Sequence, residues 1–446
     1  MTGAWFGTDG MRGTAYEPPL DRPTVARLGA ALAAQLAEDG QPRRLLLAGD
    51  PRASTADLAA WLGGAFAAAG GEVVWAGVLP TPAVSQLLRE LGGFGAGAVV
   101  SASHNPARDN GIKLLGADGS KWLTGQEQAV EARLRAWPTE PAVTALPPPA
   151  TGLAARYLEL LERTLPARPL VGLDLVVDAA NGAASGFAPI LFGRLGATVT
   201  AINASPDGHN INDRCGAVHP QGLAAAVLAG GGDAGVAFDG DADRAVLVGP
   251  SGRVLDGDDV LLVWGRALAA ADRLPGRRLV ATVMSNLGLE VALEREGIAT
   301  VRCPVGDREV WEAMQRAGAA LGGEQSGHVI CSHWATTGDG LLTAAHVLAI
   351  AHQAGASLES LAEWPRYAQV LLNVRVGRRT ALDELPELAD AVRELEHRLG
   401  RNGRVFVRYS GTEPLLRILV EAASPAIAQE AAESLATLAR CRLGAA

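Results

Sequence analysis

A short polar stretch, Ser101-Ala102-Ser103-His104-Asn105-Pro106, follows a run of glycine, alanine and valine that predicts a buried strand. Proline disfavours helix at the residue before it, so the stretch is predicted to be a turn at a strand end. Open α/β sheets bind ligands beyond the carboxyl ends of their strands. Ser103 is therefore our candidate for the residue that reacts, with His104 beside it. The alternative is that Ser103 only caps a turn, as serine often does.

Three aspartates at alternate positions, Asp239, Asp241 and Asp243, indicate a metal site. In extended backbone this spacing places all three carboxylates on one side. Carboxylates so close together repel each other unless a cation neutralises them, and Mg²⁺ prefers carboxylate oxygens with water or phosphate completing its shell. The pattern begins like a calcium-binding EF-hand loop, but Pro250 stands where that loop has its glutamate. We therefore predict one Mg²⁺ ion.

Two basic residues have the chemistry to act on a phosphate group. Arg12 lies in a glycine-rich turn, and its planar guanidinium suits a tetrahedral oxyanion. Lys113 follows the serine stretch closely and is one of only two lysines in the chain, the other being Lys121. For both candidates, the alternative is an ordinary solvated side chain.

Two further loops carry groups suited to a sugar phosphate. Glu324, Ser326 and His328 follow a glycine- and alanine-rich strand and can hold hydroxyl groups through a carboxylate, a hydroxyl and an imidazole. A loop near the C-terminus offers guanidinium groups, hydroxyls and backbone amides for a phosphate; its members are Arg408, Ser410, Gly411, Thr412 and Arg417. The alternative for each loop is a polar turn at the surface. Phosphoryl transfer between a sugar and a serine would use all of these parts.

The elements that carry these loops repeat along the chain. Three successive segments alternate strands and helices, which predicts mostly parallel sheets covered by helices. In each segment a strand of small residues ends in one of the polar loops. After Trp364-Pro365 the pattern changes to α+β. The expected fold is α/β: three similar domains with mixed, mostly parallel sheets, and a C-terminal α+β domain. The predicted boundaries are 1–150 for the serine loop, 151–252 for the aspartate loop, 253–365 for the sugar-binding loop and 366–446 for the phosphate pocket.

Composition excludes several classes of function. The 446 residues carry a net charge of −9, which argues against nonspecific nucleic-acid binding because that requires a basic surface. Four scattered cysteines without a CxxC pair indicate neither a zinc site nor a disulfide framework. The sequence shows no signal-peptide pattern and no apolar run that could span a bilayer. We therefore expect a cytoplasmic protein without membrane partners.

Taken together, the motifs resemble the α-D-phosphohexomutase superfamily, and within it the branch that acts on glucosamine phosphates. They cover essentially the whole chain in one order: FGTDGMRG, SASHNP, DNGIK, SPDGHNIND with CGAVHP, DGDADR, VGDR, GGEQSGH, TTGDG and RYSGTEP. Two departures are small. Ala242 stands where the superfamily usually has glycine, and Glu309 stands where tyrosine is common.

The resemblance implies four domains around a central cleft and a role for each candidate. Ser103 would carry a phosphate, and that phosphate with Asp239, Asp241 and Asp243 would hold Mg²⁺. Glu324 and Ser326 would bind sugar hydroxyls, and the loop near the C-terminus would hold the phosphate that does not react. Lys113 and His328 correspond to residues discussed for proton transfer. The phosphates would be positioned by three arginines: Arg12, Arg244 and Arg308.

The implied reaction is the reversible conversion of glucosamine 6-phosphate to glucosamine 1-phosphate through phosphoserine and a bisphosphorylated sugar. A hexose bisphosphate would charge the serine, and the product would feed cell-wall precursor synthesis. The small-molecule sugar phosphate is the expected partner, with the chain a monomer or a homodimer. The alternative within the superfamily is phosphomannomutase/phosphoglucomutase activity. A serine hydrolase is disfavoured because no G-x-S-x-G elbow surrounds Ser103.

Overall fold

The computed structural model describes residues 5–7, 9–377, 380–409 and 415–444. Their strands form four sheets of six, five, four and three strands. The contacts divide the chain into two compact units, one from the described parts of 1–282 and 301–362 and the other from 283–300 and 363–446. The α/β expectation with a C-terminal α+β domain is confirmed, and the boundaries at 150, 252 and 365 stay a prediction.

The first sheet has the strand order β1-β2-β6-β5-β3-β4, with β3 parallel to β4 and β5 and the other pairs antiparallel. Its strands are β1 (Phe6–Gly7), β2 (Gly10–Thr14), β3 (Arg44–Gly49), β4 (Glu72–Val78), β5 (Ala96–Val100) and β6 (Asp109–Gly116). The helices of this segment are α1 (Arg22–Glu38), α2 (Thr55–Ala68), α3 (Thr81–Leu91) and α4 (Thr124–Ala136).

Small residues make the central strand β5 a close partner for a helix. All five of its residues are buried. A Cβ added at Gly97 would lie 2.7 Å from Leu88 and 2.9 Å from Val84, both on α3. Because glycine has no Cβ at this position, α3 approaches the strand closely. The turn that follows β5 therefore starts from a rigid base.

The second sheet has the order β11-β10-β9-β7-β8, in which β7 is parallel to β8 and β9 and the other pairs are antiparallel. The elements of this segment are α5 (Leu153–Glu162), β7 (Asp174–Asp178), α6 (Ala188–Arg194), β8 (Thr198–Ile202), α7 (Gln221–Gly230), β9 (Ala234–Phe238), β10 (Ala245–Val248) and β11 (Val254–Leu255). The aspartate loop joins β9 to β10, so both of its ends are fixed by an antiparallel pair.

The third sheet has the order β13-β12-β14-β15, with β12 parallel to β14 and β14 antiparallel to β15. The elements of this segment are α8 (Gly257–Ala270), β12 (Arg278–Thr282), α9 (Leu287–Arg295), β13 (Ala299–Cys303), α10 (Asp307–Ala317), β14 (Leu321–Gly323), β15 (Val329–Cys331), α11 (Gly340–Gln353) and α12 (Leu358–Leu361). The predicted sugar-binding loop is the hairpin connection between β14 and β15.

The fourth sheet is antiparallel, with the order β16-β18-β17. The elements of this segment are β16 (Ala368–Arg375), α13 (Pro386–Leu399), β17 (Gly403–Tyr409), β18 (Leu415–Ala422) and α14 (Pro425–Leu443). Its core is formed by valine, leucine and isoleucine from the strands against alanine and leucine from α14. None of the described helices has both the length and the apolar character needed to cross a membrane.

Candidate active site

The serine loop leaves β5 in a strained conformation. Ser103 is buried and has φ +52°, in the left-handed region that serine rarely adopts. Its backbone N–H donates to Ser101 Oγ at 2.9 Å, and Ser101 Oγ donates to Asp50 Oδ2 at 2.6 Å. Backbone strain that is held by such contacts is typical of functional sites. The strained backbone of Ser103 therefore favours the reactive role over the alternative in which Ser103 only caps a turn.

The aspartate loop meets the serine loop directly. Ser103 Oγ donates to Asp239 Oδ2 at 2.5 Å. The approach depends on Gly240, because a Cβ there would lie 2.5 Å from the Ser103 carbonyl oxygen. Ala242 has φ +59°, so alanine adopts the left-handed backbone for which glycine is usual in the superfamily. The predicted nucleophile and the predicted metal loop therefore form one site.

The three aspartates fit a divalent cation. Each offers a carboxylate oxygen, and the three oxygens lie within 4.8 Å of one another in a buried position. Oδ1 of Asp241 and Oδ1 of Asp243 are buried without a hydrogen-bond partner. Buried carboxylate oxygens without donors are costly unless a cation binds them. Hard oxygen ligands in this number are the donor set that Mg²⁺ prefers.

Lys113 supplies positive charge to the same cluster. From β6 its Nζ lies 2.8 Å from Asp241 Oδ2, 3.4 Å from Asp243 Oδ2 and 3.1 Å from Asp9 Oδ2. Burial alone would lower the pKa of Lys113, but the carboxylates of these aspartates outweigh it and raise the pKa. Lys113 is thus a buried cation, and the surface alternative is wrong for it.

The carboxylates respond differently to their surroundings. Burial, and next the charges of Asp243 and Asp241, raise the pKa of Asp239 well above its usual range. Burial also acts to raise the pKa of Asp243, but Lys113 first and then His328 outweigh it and hold that pKa low. The surroundings therefore shift two carboxylates of one loop in opposite directions, with the pKa of Asp239 raised and that of Asp243 lowered.

The two candidate histidines occupy different places. His104 Nδ1 lies 3.4 Å from Ser103 Oγ, and burial followed by the charges of Arg244 and Arg12 lowers the pKa of His104 to about 4. His104 is therefore neutral at pH 7. His328 is buried, with Nδ1 at 3.6 Å from Asp243 Oδ2, while Nε2 accepts a hydrogen bond from the Gly338 N–H at 3.0 Å. This pairing leaves Nδ1 of His328 directed to the aspartate loop.

The predicted arginines do not form one group. Arg12 lies on β2 and not in the predicted turn, and its side chain pairs with Asp9, which also contacts Lys113. Arg244 follows the aspartate loop, and its backbone N–H donates to Asp239 Oδ1 at 3.2 Å. Arg12 lies opposite Gly111, whose carbonyl oxygen accepts from the Ser101 N–H, and Asp239 joins the Arg244 backbone to Ser103 Oγ, so both arginines lie beside the serine loop. Their charges contribute to the lowered pKa of His104.

Arg308 has a different partner. Its Nη2 lies 2.8 Å from Glu127 Oε2, and its Nη1 donates to Thr124 Oγ1 at 2.7 Å. Both partners lie on α4 of the first sheet's segment. In this conformation Arg308 is an ion-pair partner of α4, so a role in positioning phosphate requires the side chain to leave Glu127.

The predicted sugar-binding loop is ordered by its own polar groups. Glu324 Oε1 accepts from the Gly306 N–H at 3.0 Å, and Ser326 Oγ lies 3.3 Å from Glu324 Oε2. The Gly257 N–H donates to the Gln325 carbonyl at 3.0 Å, which ties the loop to the start of α8. The loop is therefore held at both sides, and the Glu324 carboxylate at its start is buried.

Part of the predicted phosphate pocket lies in the second compact unit. Arg408 on β17 and Arg417 on β18 are directly opposite each other in the antiparallel pair. Burial, and then the charge of Arg417, lowers the pKa of Arg408. Two neighbouring guanidinium groups of this kind favour an anion as their ligand. The other predicted members, Ser410, Gly411 and Thr412, lie outside the described residues.

Four residues of the site were missed by the sequence analysis: Asp9, Arg52, Thr81 and Asn212. Thr81 Oγ1 donates to Asp241 Oδ2 at 2.5 Å, and Asp9 bridges Lys113 and Lys121. The sequence did contain a signal for Arg52. Strand β3 is parallel to β5, so the segment Asp50-Pro51-Arg52 after β3 lies at the same edge of the sheet as the serine loop after β5. Asp9 and Asn212 lie within the motifs FGTDGMRG and SPDGHNIND, which marked their segments without giving them a role, whereas for Thr81 only the three-dimensional packing gives the connection.

Comparison with known proteins decides the family. The phosphoglucomutase/phosphomannomutase domains match along the chain, with α/β/α domain I at residues 3–140, domain II at 155–252, domain III at 256–367 and the C-terminal domain at 371–438. The chain belongs to this family. It is an isomerase that acts as an intramolecular phosphotransferase.

The relatives of this family member are similar over nearly their full length. A phosphoglucosamine mutase of Solibacter usitatus is 46% identical over 443 residues, covering 98% of this chain and 99% of that protein. A phosphoglucosamine mutase of Desulforudis audaxviator is 44% identical, with 97% of each chain covered. The sequence similarity to these relatives therefore extends over all four domains.

Solved structures confirm the fold. A phosphoglucomutase/phosphomannomutase family protein of Burkholderia thailandensis has a TM-score of 0.82 at 24% identity and covers 98% of both chains. An N-acetylphosphoglucosamine mutase of Aspergillus fumigatus, solved with GlcNAc-6P and magnesium, has a TM-score of 0.65 at 19% identity, with 98% of this chain and 95% of that chain covered.

Proposed function

We propose that this enzyme is a phosphoglucosamine mutase that interconverts glucosamine 6-phosphate and glucosamine 1-phosphate. The observation that carries the proposal is the contact of Ser103 Oγ with the aspartate loop, in a chain that is 44–46% identical to phosphoglucosamine mutases over nearly its full length. Ser103 would carry the phosphoryl group. Asp239, Asp241 and Asp243 would hold one Mg²⁺ ion together with a phosphoserine oxygen.

The transfer is balanced in two half-reactions. The free hydroxyl of the sugar attacks phosphorus, a new P–O bond forms, the bond from phosphorus to Ser103 Oγ breaks, and the sugar becomes a bisphosphate. In the second half-reaction Ser103 Oγ attacks the other phosphate, which returns the phosphoryl group to serine and leaves the isomeric monophosphate. When bound, Mg²⁺ supplies charge neutralisation at the transferring group.

The chain's own residues position the groups and move the proton. Arg12 and Arg244 lie around the serine loop and would orient the reacting phosphate, since arginine binds phosphate through parallel N–H donors. Lys113 offsets the charge of the aspartates. His104 is neutral at pH 7 and lies 3.4 Å from Ser103 Oγ, so it can take a proton from a hydroxyl at that position. His328 would take part in proton transfer through Nδ1, which faces Asp243.

Substrate recognition would rest on the loops already described. Glu324 offers a carboxylate that suits the ammonium group of glucosamine as well as hydroxyl donors, and Ser326 lies beside it. Arg408 and Arg417, with Ser410, Gly411 and Thr412, would hold the phosphate that does not react. A hexose bisphosphate would charge Ser103 before the first turnover. We place the enzyme in the cytoplasm, where its sugar-phosphate substrates are made, as a monomer or a homodimer.

The test is a mutase assay on glucosamine 6-phosphate, glucose 6-phosphate and mannose 6-phosphate, with Mg²⁺ and a trace of glucose 1,6-bisphosphate. The proposal predicts a clear preference in kcat/KM for glucosamine 6-phosphate. Equal or faster turnover of the neutral sugars would instead support the phosphomannomutase/phosphoglucomutase alternative. No turnover of any of the three sugar phosphates would refute both.

A further inference from the structure

The backbone of the serine loop is held from one side by Arg52. This side chain is buried, and its Nη2 donates to the carbonyl oxygens of Ser103 at 3.0 Å and Asn105 at 2.8 Å. Its Nη1 donates to the carbonyl oxygen of Asp109 at 2.9 Å and also contacts that of Pro106. One guanidinium group therefore contacts four carbonyl oxygens of the segment from Ser103 to Asp109.

The second segment supplies a matching amide. Nδ2 of Asn212 donates to the same two carbonyl oxygens, Ser103 at 2.9 Å and Asn105 at 3.0 Å. Asn212 has φ +57° and its side chain is largely buried, so its position is also fixed by its own loop. The Ser103 carbonyl thus receives hydrogen bonds from two different sheets' loops.

The N–H side of Ser103 is held by the same network. Arg52 Nε donates to Asp50 Oδ2 at 2.9 Å, and the same carboxylate oxygen accepts from Ser101 Oγ. Ser101 Oγ in turn accepts the Ser103 N–H. Both peptide groups that flank the Ser103 side chain are therefore fixed, which is what a left-handed serine requires to persist.

We propose that Arg52 and Asn212 are positioning residues for phosphoryl transfer, which hold the Ser103 backbone so that its Oγ faces the aspartate loop. The inference rests on the proposed function. Without these donors, Ser103 is free to return to an ordinary backbone conformation, which moves Oγ away from Asp239. A misplacement of about 1 Å at a reacting atom costs about 100-fold in rate.

Asn212 gives the cleaner variants, because loss of Arg52 leaves Asp50 as a buried charge without its cation and threatens the fold. Asn212→Gly removes both donors and keeps a residue that adopts positive φ without strain. Asn212→Asp keeps the shape of the side chain but replaces the donating amide group with a carboxylate oxygen, which cannot donate to the two carbonyl oxygens. The matched control is Arg168→Gly, since Arg168 also has a positive φ, +48°, and lies at an exposed position between α5 and β7.

We expect kcat to fall about 10-fold to 100-fold in Asn212→Gly and further in Asn212→Asp, because Ser103 loses its alignment. The KM for glucosamine 6-phosphate should stay within about twofold, since a residue that holds only the serine leaves ground-state binding intact. Arg168→Gly should keep the wild-type kcat. Arg52→Lys should also lower kcat, because one ammonium group cannot donate to all the carbonyl oxygens that the planar guanidinium group contacts.

Phosphorylation of Ser103 by glucose 1,6-bisphosphate, followed by intact mass, is measured in parallel. It should slow by the same factor as kcat. Wild-type kcat and phosphorylation rate in both Asn212 variants, or a change confined to KM, would overturn the inference. If the wild type turns over no sugar phosphate, the proposed function fails, and the Ser103 phosphorylation rate alone then supports or overturns the positioning role.

Discussion

Replacing Gly240 by alanine introduces one methyl group where the aspartate loop touches the serine loop. The new Cβ would lie 2.5 Å from the Ser103 carbonyl oxygen and 2.9 Å from Asn212 Nδ2. Non-bonded heavy atoms are comfortable only from about 3.5 Å, so the loops must separate by about 1 Å. The 2.5 Å contact between Ser103 Oγ and Asp239 Oδ2 then lengthens beyond hydrogen-bond distance.

A displacement of this size predicts a fall in kcat of about 100-fold, or about 2.7 kcal/mol in activation free energy. The cost in folding stability should be about 1–3 kcal/mol, the usual cost of an added methyl group at a closely packed position. The assay is steady-state mutase turnover with glucosamine 6-phosphate, with thermal unfolding of each protein measured alongside. Loss of turnover with an intact unfolding transition is the expected pair of results.

The matched control is Gly222→Ala, near the start of α7, where an added Cβ meets nothing within 4 Å. This variant should keep the wild-type kcat. If Gly240→Ala turned over at a rate within a factor of about three of the wild type, the close approach of the two loops would not be what catalysis requires. An equal loss in both variants would also refute the reasoning.

Three further substitutions have definite expected outcomes. Ser103→Ala should abolish mutase turnover with an unchanged unfolding transition, and retained turnover would contradict the assignment of the phosphate carrier. Asp241→Asn should lower kcat roughly tenfold or more and raise the Mg²⁺ concentration needed for half-maximal rate, because one of three ligands weakens; unchanged activity at low Mg²⁺ would count against the metal site. Burial raises the pKa of Asp339 to about 6, so between about pH 4 and 6 the folded state keeps a proton that the unfolded state releases. Relative to Asp339→Asn, the wild type should therefore lose about 3 kcal/mol of stability as pH rises through that window, and parallel thermal midpoints from pH 4 to 7 would contradict this.

The loops that carry the chemistry were readable from the sequence because each follows a strand of small residues. Ser103 and the three aspartates follow strands of two different sheets, so their proximity was expected from the chemistry of phosphoryl transfer and from the family resemblance, not from one sheet edge. The three aspartates form the predicted cluster, although they lie in a turn with Ala242 at φ +59° and not in the extended backbone from which the spacing was argued. Motifs and their chemistry are enough for this part of the site.

The support of the site was not readable in the same way. The roles of Arg52 and Asn212 depend on hydrogen bonds to backbone carbonyls, which leave no pattern of residue types in the loop that they hold. Arg308 is a second case, since a motif predicted a phosphate ligand, the structure pairs the side chain with Glu127, and the phosphate role stays a prediction. In both cases the partner of the side chain lies in a distant segment of the sequence, and the spacing of residues along the chain does not predict such a contact.

The central claim is that Ser103 carries the phosphate that moves between sugar positions. The direct measurement is to load the enzyme with isotopically labelled glucose 1,6-bisphosphate, locate the label by peptide mass spectrometry, and then add glucosamine 6-phosphate. The account predicts one labelled phosphate, on Ser103, that leaves the protein as labelled sugar bisphosphate or glucosamine 1-phosphate. Label on another residue, or full mutase turnover without any labelled serine, would contradict it.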